Sequence, residues 1–320
     1  MMAMATQMPT SEGDSPGVGS VDWPPIVGRR HPLRWLSAVV LVLLAAMLVH
    51  ALVTNAKFGW HVVATYLFNA QILEGLERTL LLTAAAMAIG VILGTLLAVF
   101  RMSRNPVLSV ASYLYIWFFR GTPLLVQLIF WYNLAALYAK LSLGIPFGPA
   151  LVSASTNQVF SVWVAAIVAF GLNEAAYTAE IIRGGLLAVD PGQTEAARAL
   201  GMSEVLVFRR IILPQALRVI VPPIGNQVIG MLKYTSLVSV IALPDLLYSS
   251  ELIYQNNYQT IPLLIVACLW YLAATTVLTI AQVYVERHYG KGFSVANGNE
   301  TRWSLDRFWS GVLSRAKSGQ

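Results

Sequence analysis

Long stretches of the chain are apolar and carry no charged side chain. Residues 35–56, 79–100, 121–139, 141–172 and 252–285 contain no Asp, Glu, Lys or Arg, and residues 219–243 contain only Lys233. A helix that crosses the roughly 30 Å hydrocarbon core of a bilayer needs about 20 predominantly apolar residues. The pattern predicts an all-α integral membrane protein with spans near residues 35–56, 72–100, 121–139, 157–183, 219–243 and 261–285.

The basic residues predict how these spans are oriented. Short loops rich in Lys and Arg remain in the cytoplasm, and here such loops precede the first span, follow the second, surround residues 184–214 and follow the last. We therefore expect a multi-pass protein of the cytoplasmic membrane with both termini inside. The residues concerned are Arg29, Arg30, Arg34, Arg101, Arg104, Arg183, Arg198, Arg209, Arg210, Arg218, Arg287 and Lys291.

Composition excludes several other classes of protein. Only 11% of the residues are charged, against roughly 25% in an average soluble domain. The net charge of +6 comes from residues that flank membrane segments, so nucleic acid is not an expected partner. One cysteine, Cys268, and four scattered histidines provide no metal-ligand spacing. No metal, no cofactor and no catalytic residue are predicted in this chain.

The two ends of the chain differ from the apolar middle. Residues 10–25 are rich in Gly, Pro and Ser, a composition that cannot bury a core. We predict a disordered cytoplasmic tail over residues 1–33, a retained membrane helix over residues 34–56 and a cytoplasmic C-terminal tail over residues 289–320.

An aromatic segment, residues 106–119, is apolar but too short to span a membrane, and it leads into Arg120-Gly-Thr-Pro123. We interpret it as a helix at the membrane interface. The tetrapeptide predicts a break, because Pro123 restrains the residue before it and Gly121 adds conformational freedom.

Residues 184–214 form a polar interruption with helix signals. Asp190 can cap free N–H groups, Pro191 suits a first helical position and Gln193 can reach back to the cap. A short helix then ends at Gly201, and a second runs from Ser203 to Pro214. The sequence predicts a helix-turn-helix hairpin on the cytoplasmic side.

The hairpin resembles a known motif. The spacing of Glu-Ala-Ala, Gly four residues on, then Ile and Leu-Pro resembles the EAA loop in permease subunits of bacterial ATP-binding-cassette importers. In that family the short helix docks on a separate ATPase, and this chain has no G-x-x-x-x-G-K-[ST] phosphate loop of its own. The resemblance assigns ATPase coupling to Glu195, Ala196, Ala197, Gly201, Ile211, Leu213 and Pro214.

Residues 119–127, 176–183 and 233–237 resemble the polar amino acid branch of this family, which includes histidine, glutamine, arginine and cystine importers. The resemblance covers about residues 70–288 and implies the type I importer permease fold, with five core membrane helices plus the extra N-terminal one. It also implies two ATPase subunits that carry ATP and Mg, an extracytoplasmic solute-binding protein and a second permease subunit. We favour a second copy of this chain over a different one.

Charged groups inside a membrane are costly and are functional candidates by default, which singles out Glu174 and Lys233. Two interpretations stay open. They line a polar pocket for the ammonium and carboxylate of an amino acid, or they join spans as an interhelical network. Arg120 is expected at the cytoplasmic interface rather than against substrate. The candidate pathway residues are Asn173, Glu174, Tyr177, Asn226, Lys233, Thr235, Arg120 and Gln127.

Three rival functions are weaker. A secondary transporter driven by an ion gradient is expected to show paired repeats with interrupted helices, and we find no convincing repeat. A channel leaves the hairpin unexplained, and a membrane enzyme lacks a nucleophile with its base. Gly90 and Gly94 form a G-x-x-x-G pair that predicts close helix packing.

Overall fold

The computed structural model describes residues 32–144 and 150–289. The predicted tails, residues 1–33 and 289–320, lie outside these ranges except for their innermost residues. The described chain is mostly helical, which confirms the predicted fold class. It also contains a two-stranded antiparallel hairpin, for which we found no signal in the sequence.

The elements follow one another in a simple order. The α-helices are α1 (Pro32–Thr54), α2 (Trp60–Tyr66), α3 (Ala70–Arg101), α4 (Pro106–Gly121), α5 (Leu124–Tyr132), α6 (Leu134–Leu137), α7 (Thr156–Val159), α8 (Val162–Leu187), α9 (Pro191–Ala199), α10 (Glu204–Val207), α11 (Leu213–Tyr234), α12 (Leu246–Asn257) and α13 (Thr260–Tyr289). Strands β1 (Lys140–Gly144) and β2 (Ala150–Ser155) pair between α6 and α7. Ala56–Phe58 and Thr235–Ile241 are 3₁₀ segments, and Phe208–Ile212 is a π-helix.

Four described helices are long and apolar enough to cross a membrane: Leu36–Thr54 in α1, together with α3, α8 and α13. The predicted third span, residues 121–139, is not one continuous helix, because it contains the short helices α5 and α6. Helices α4 and α5 meet at an angle of 101°, so the apolar run belongs to a broken pair that bends at the predicted Gly121–Pro123 break. Counted as one span, this pair makes a fifth.

Helix α1 belongs to a different unit of the structure from the described residues that follow Ala56. Its 19-residue apolar stretch has a mean hydropathy of 2.7 and is 0% buried. This exposure suits a helix whose surroundings are hydrocarbon, because apolar side chains on all faces have no preferred aqueous side.

The larger unit is organised by the packing of α3 against α8. A Cβ added to Gly90 would lie 2.5 Å from Cγ of Glu174, and one added to Gly94 would lie 2.7 Å from Cβ of Thr178. The predicted close packing of this glycine pair is therefore present. Gly171 makes the same kind of contact from the α8 side, because a Cβ added there would lie 2.8 Å from the side chain of Ile89 on α3.

Two apolar clusters flank this contact. One joins α3, α5, α8 and α11 around Phe170, Leu128 and Met231, all of which are nearly or fully buried. The other joins α2, α3, α12 and α13 around Ile72 and Leu263. Burial of such side chains stabilises a helix bundle through dispersion contacts and close packing.

The second helix of the predicted hairpin does not end at Pro214. Residues 204–234 form one helical run through α10, the π-helix and α11, with right-handed helical dihedrals at both junctions. Pro214 has no N–H and its ring crowds the carbonyl four residues earlier. A wider π turn directly before it accommodates that ring without ending the helix.

Replacing Gly90 by Leu tests the packing of α3 on α8. The added side chain would enter space that Glu174 occupies, and overpacking of this kind costs about 1–3 kcal/mol. We expect a lower thermal unfolding midpoint for the purified protein in detergent. Gly184→Ala is the control, since a Cβ there meets nothing within 4 Å; an equal midpoint for both variants would contradict this packing.

Candidate functional site

Buried amides hold the break between α4 and α5. The side chain of Gln127 donates to the carbonyl of Phe119 at 3.0 Å and to the hydroxyl of Thr122 at 2.7 Å. Asn173 on α8 donates to the same Phe119 carbonyl at 2.9 Å and to Oε1 of Gln127 at 3.2 Å. These bonds satisfy backbone groups that the bend frees, which is the condition for irregular backbone at membrane depth.

The same bonds place Arg120 half-way along α8 rather than at its end. Phe119 contacts Asn173, and the Arg120 guanidinium lies 5.3 Å from the ring centroid of Tyr177. The expectation that Arg120 sits at the cytoplasmic interface stays a prediction, and the structure adds that the side chain also borders the polar residues of α8.

Glu174 is nearly buried, with 3% of its surface exposed. Its Oε1 accepts from the Thr178 hydroxyl at 2.9 Å, and its two oxygens lie 3.4 and 3.3 Å from Nε2 of Gln227. None of the three ion pairs found in the described ranges involves Glu174. The carboxylate is therefore held by neutral donors and has room for a cation.

A cavity of about 440 Å³ opens beside this carboxylate. Its volume falls within the roughly 300–1,000 Å³ typical of small-molecule sites. Four of the predicted pathway residues line it: Arg120, Asn173, Glu174 and Tyr177. An acid, a guanidinium, an amide and a phenol thus surround one space, and together they can bind both ends of a small zwitterion.

The other four predicted pathway residues lie away from the cavity wall. Gln127 is buried in the break, Asn226 accepts from Gln282 at 3.2 Å, and Thr235 donates to the carbonyl of Leu232 at 2.7 Å. Lys233 is exposed. Glu174 and Lys233 form no ion pair. Glu174 does accept from Gln227 on α11, which is an interhelical contact of the kind that the second interpretation predicts.

The polar loop after α8 has the geometry that its caps predict. Asp190 accepts from the N–H of Gly192 at 2.8 Å, Pro191 begins α9, and Gly201 ends the turn with a φ of 77°. The N–H groups of Gly201 and Met202 bond to the carbonyls of Arg198 and Ala197, which closes the helix C-terminus. A residue with a Cβ is disfavoured at that φ.

An ion pair joins the two helices of the hairpin. Arg198 on α9 binds Glu204 on α10 through two bonds of 2.7 and 3.0 Å, and the guanidinium lowers the pKa of the Glu204 carboxyl. Ala197 is buried, whereas Glu195, Ala196 and Leu200 are exposed. The hairpin therefore presents a small mixed surface on a stiffened frame. The remaining motif residues, Ile211, Leu213 and Pro214, lie in and directly after the π-helix.

Comparison with known proteins decides what this arrangement belongs to. The model of the family described as "Binding-protein-dependent transport system inner membrane component" matches residues 90–291, which is more than half of the chain. The chain belongs to this family. As a permease of the ATP-binding-cassette class it resides in the inner membrane and acts with ATPase and solute-binding partners, while ATP hydrolysis is the work of a separate subunit.

Individual relatives agree with the family. The permease is 43% identical to the arginine transport system permease protein ArgU of Corynebacterium glutamicum over 280 residues, or 87% of each chain. It is 38% identical to the nopaline transport system permease protein NocM of Agrobacterium fabrum over 209 residues, which cover 65% of this chain and 83% of the relative.

A solved structure described as an amino acid ABC transporter with histidines is 35% identical to the permease. It has a TM-score of 0.61 and covers 70% of this chain and 97% of that one. The importer-permease fold predicted from the EAA-like loop is confirmed by these similarities.

The α11 side of the cavity was not predicted. Gln227, Met231 and Tyr234 lie on α11 and face the cavity. Their spacing of four and three residues marks one helix face, and that signal was present in the sequence. The pathway prediction instead chose Lys233 because it is charged, and Lys233 lies on a different face of α11 from these three residues.

Replacing Asn173 by Leu tests whether buried amides maintain the break. The variant leaves Oε1 of Gln127 without a donor, and a buried group that loses its partner costs about 1–3 kcal/mol. We expect a lower thermal midpoint and faster proteolysis between α4 and α5. Asn157→Leu at an exposed position is the control, and unchanged proteolysis in Asn173→Leu would refute the pinning role.

Proposed function

We propose that this permease passes a cationic amino acid, L-arginine in the first instance, from a solute-binding protein into the cytoplasm. The observation that carries this proposal is Glu174. Its carboxylate lines the cavity and accepts hydrogen bonds from neutral donors only. In the described part of the chain, no Lys or Arg lies within ion-pair distance of it. A guanidinium or ammonium group of substrate supplies the missing partner.

Arg120 completes the proposed recognition. Its guanidinium borders the same cavity and stacks on Tyr177, and a stacked guanidinium retains the N–H edge that binds a carboxylate with two bonds. We assign the substrate carboxylate to Arg120 and its cationic side chain to Glu174. Asn173 and Tyr177 add neutral polar contacts.

Two further features support this choice. The relative that is similar over 87% of the chain is named as an arginine permease. A carboxylate within the membrane costs free energy of desolvation, and recognition of a cationic substrate explains why one is present there. The alternative of an ion-gradient-driven transporter receives no support from the relatives, whose names and family are those of binding-protein-dependent systems.

The assembly that we propose follows the predicted orientation. The termini and the hairpin 184–214 face the cytoplasm, where two ATPase subunits bring ATP and Mg and contact Glu195, Ala196 and neighbouring surface residues. A second copy of this chain completes the pathway. The extracytoplasmic face receives the loaded binding protein.

Glu174→Gln tests the substrate assignment. The complex of permease, ATPase and binding protein is reconstituted in liposomes, and ATP-dependent uptake of labelled L-arginine is compared with that of L-citrulline, its uncharged isostere. Hydrogen bonds to charged groups contribute about 1.5–3 kcal/mol, which corresponds to roughly ten- to a hundredfold. We expect the arginine preference to fall by about that factor.

The control is Glu77→Gln, which removes an exposed carboxylate of α3 outside the cavity. It should retain the wild-type preference. A Glu174→Gln permease that still prefers arginine over citrulline to the wild-type extent would remove Glu174 from substrate recognition.

Gly201→Val tests the coupling role of the hairpin. A β-branched residue is strained at a φ of 77°, at a cost of about 1–2 kcal/mol, so α9 should leave its position over α10. We expect reduced co-purification of the ATPase and lower permease-dependent ATP hydrolysis, with normal membrane insertion. Gly184→Ala again serves as control, and full ATPase retention in Gly201→Val would argue that the turn is not needed for docking.

A further inference from the structure

A second cavity adjoins the first. It has a volume of about 480 Å³ and shares Arg120, Gly121 and Tyr177 with the cavity beside Glu174. It then extends along α4 and α8 to Arg101 and Arg183 at the far ends of α3 and α8. In the predicted orientation these ends are cytoplasmic, so the second cavity lies between the Glu174 cavity and the cytoplasm.

This cavity has an excess of positive charge. Three arginines and one glutamate line it. Glu180 is already engaged, since Arg183 binds its Oε2 through Nε at 3.1 Å and Nη2 at 2.7 Å. Arg101 and Arg120 have no carboxylate within ion-pair distance in the described ranges. Two guanidinium charges are therefore left for an anion.

Both of these guanidinium groups are positioned by neutral contacts. Arg101 lies 5.0 Å from the ring centroid of Tyr113 and donates to the Ser109 hydroxyl at 3.2 Å, while Arg120 lies over Tyr177. A cation–π contact holds each guanidinium beside a ring and leaves N–H groups that can donate to an anion. The geometry suits a carboxylate.

We infer that the second cavity is an exit site that binds the α-carboxylate of the amino acid after it leaves Glu174. This inference rests on the proposed function. Arg120 borders both cavities and can keep hold of the carboxylate while the cationic side chain gives up Glu174. The excess positive charge then repels that side chain, so binding in the second cavity is weak and release into the cytoplasm is favoured.

The exit site can be tested by inhibition of import from the cytoplasmic side. Amino acid on the cytoplasmic side should occupy it and slow import, and the effect should need a carboxylate. In inside-filled proteoliposomes with ATP, luminal L-arginine is compared with luminal agmatine, which is arginine without its carboxylate. We expect the half-inhibitory concentration of agmatine to be at least about tenfold higher. Equal inhibition by both compounds, or none by arginine, overturns the exit site.

Variants of Arg101 place the effect in this cavity. Each variant is compared with its own uninhibited rate of import. Arg101→Gln should raise the half-inhibitory concentration of luminal arginine about tenfold. Arg101→Lys should restore part of the inhibition because lysine retains the positive charge. Arg218→Gln, on α11 outside the cavity, should behave as wild type. A wild-type response in Arg101→Gln contradicts the assignment.

A lipid headgroup is the second anion that two guanidinium groups could bind. The assays are therefore repeated with phosphatidylcholine alone and with added phosphatidylglycerol. If Arg101→Gln changes only the response to the anionic lipid, the cavity is a lipid headgroup site and the exit site is refuted.

The exit site and the proposed function can fail separately. If arginine import and the Glu174 preference are intact while luminal inhibition is absent, the exit site alone falls. If wild-type import needs no ATPase, the proposed function falls and the exit site with it.

Discussion

The close approach of α3 and α8 is the constraint on which the remaining structure depends. Gly90 and Gly94 lack the side chains that would hold the two helices apart, and Glu174 and Thr178 fill the space that they leave. Without this approach Glu174 could not be nearly buried while still bordering a cavity. One packing device therefore builds the bundle and also positions a costly charge, which is why small residues here have chemical as well as steric consequences.

The break between α4 and α5 is the second element of the site, and α8 anchors it as well. Asn173 contacts the break, and the next residue, Glu174, contacts Gly90 and Gln227. Two adjacent residues of α8 thus connect that helix to the α4–α5 break, to α3 and to α11. Tyr115 adds a further connection because its hydroxyl donates to the carbonyl of Leu172 at 2.8 Å. Hydrogen bonds therefore fix the α8 side of the cavity to its neighbours, and α11 completes the other side.

Much of this arrangement can be predicted from local patterns, and what cannot depends on long-range partners. Charge-free runs predict α1, α3, α8 and α13, and the resemblance to the EAA loop supplies the family. Gly121 and Pro123 predict the break between α4 and α5. Its angle of 101° could not be predicted, because it is held by the amides of Gln127 and Asn173, which are distant in sequence. The charge of Lys233 suggests a pathway residue. However, the packing of α11 against α8 determines which face of α11 lines the cavity, and Lys233 is not on that face. Strands β1 and β2 give little signal, since an apolar run can be strand or helix until its pairing is known.

The uninterrupted helix from Glu204 to Tyr234 has a mechanical consequence. At about 1.5 Å per residue, its 31 residues form a rod of roughly 45 Å with Glu204, the partner of Arg198, at one end and Gln227, Met231 and Tyr234 near the other. Pro222 and Pro223 lie inside this run without ending it, so continuous helical backbone joins the hairpin to the cavity wall. Since Gln227 on this helix donates to Glu174, any tilt of the whole run relative to α8 would change the hydrogen bonding of that carboxylate.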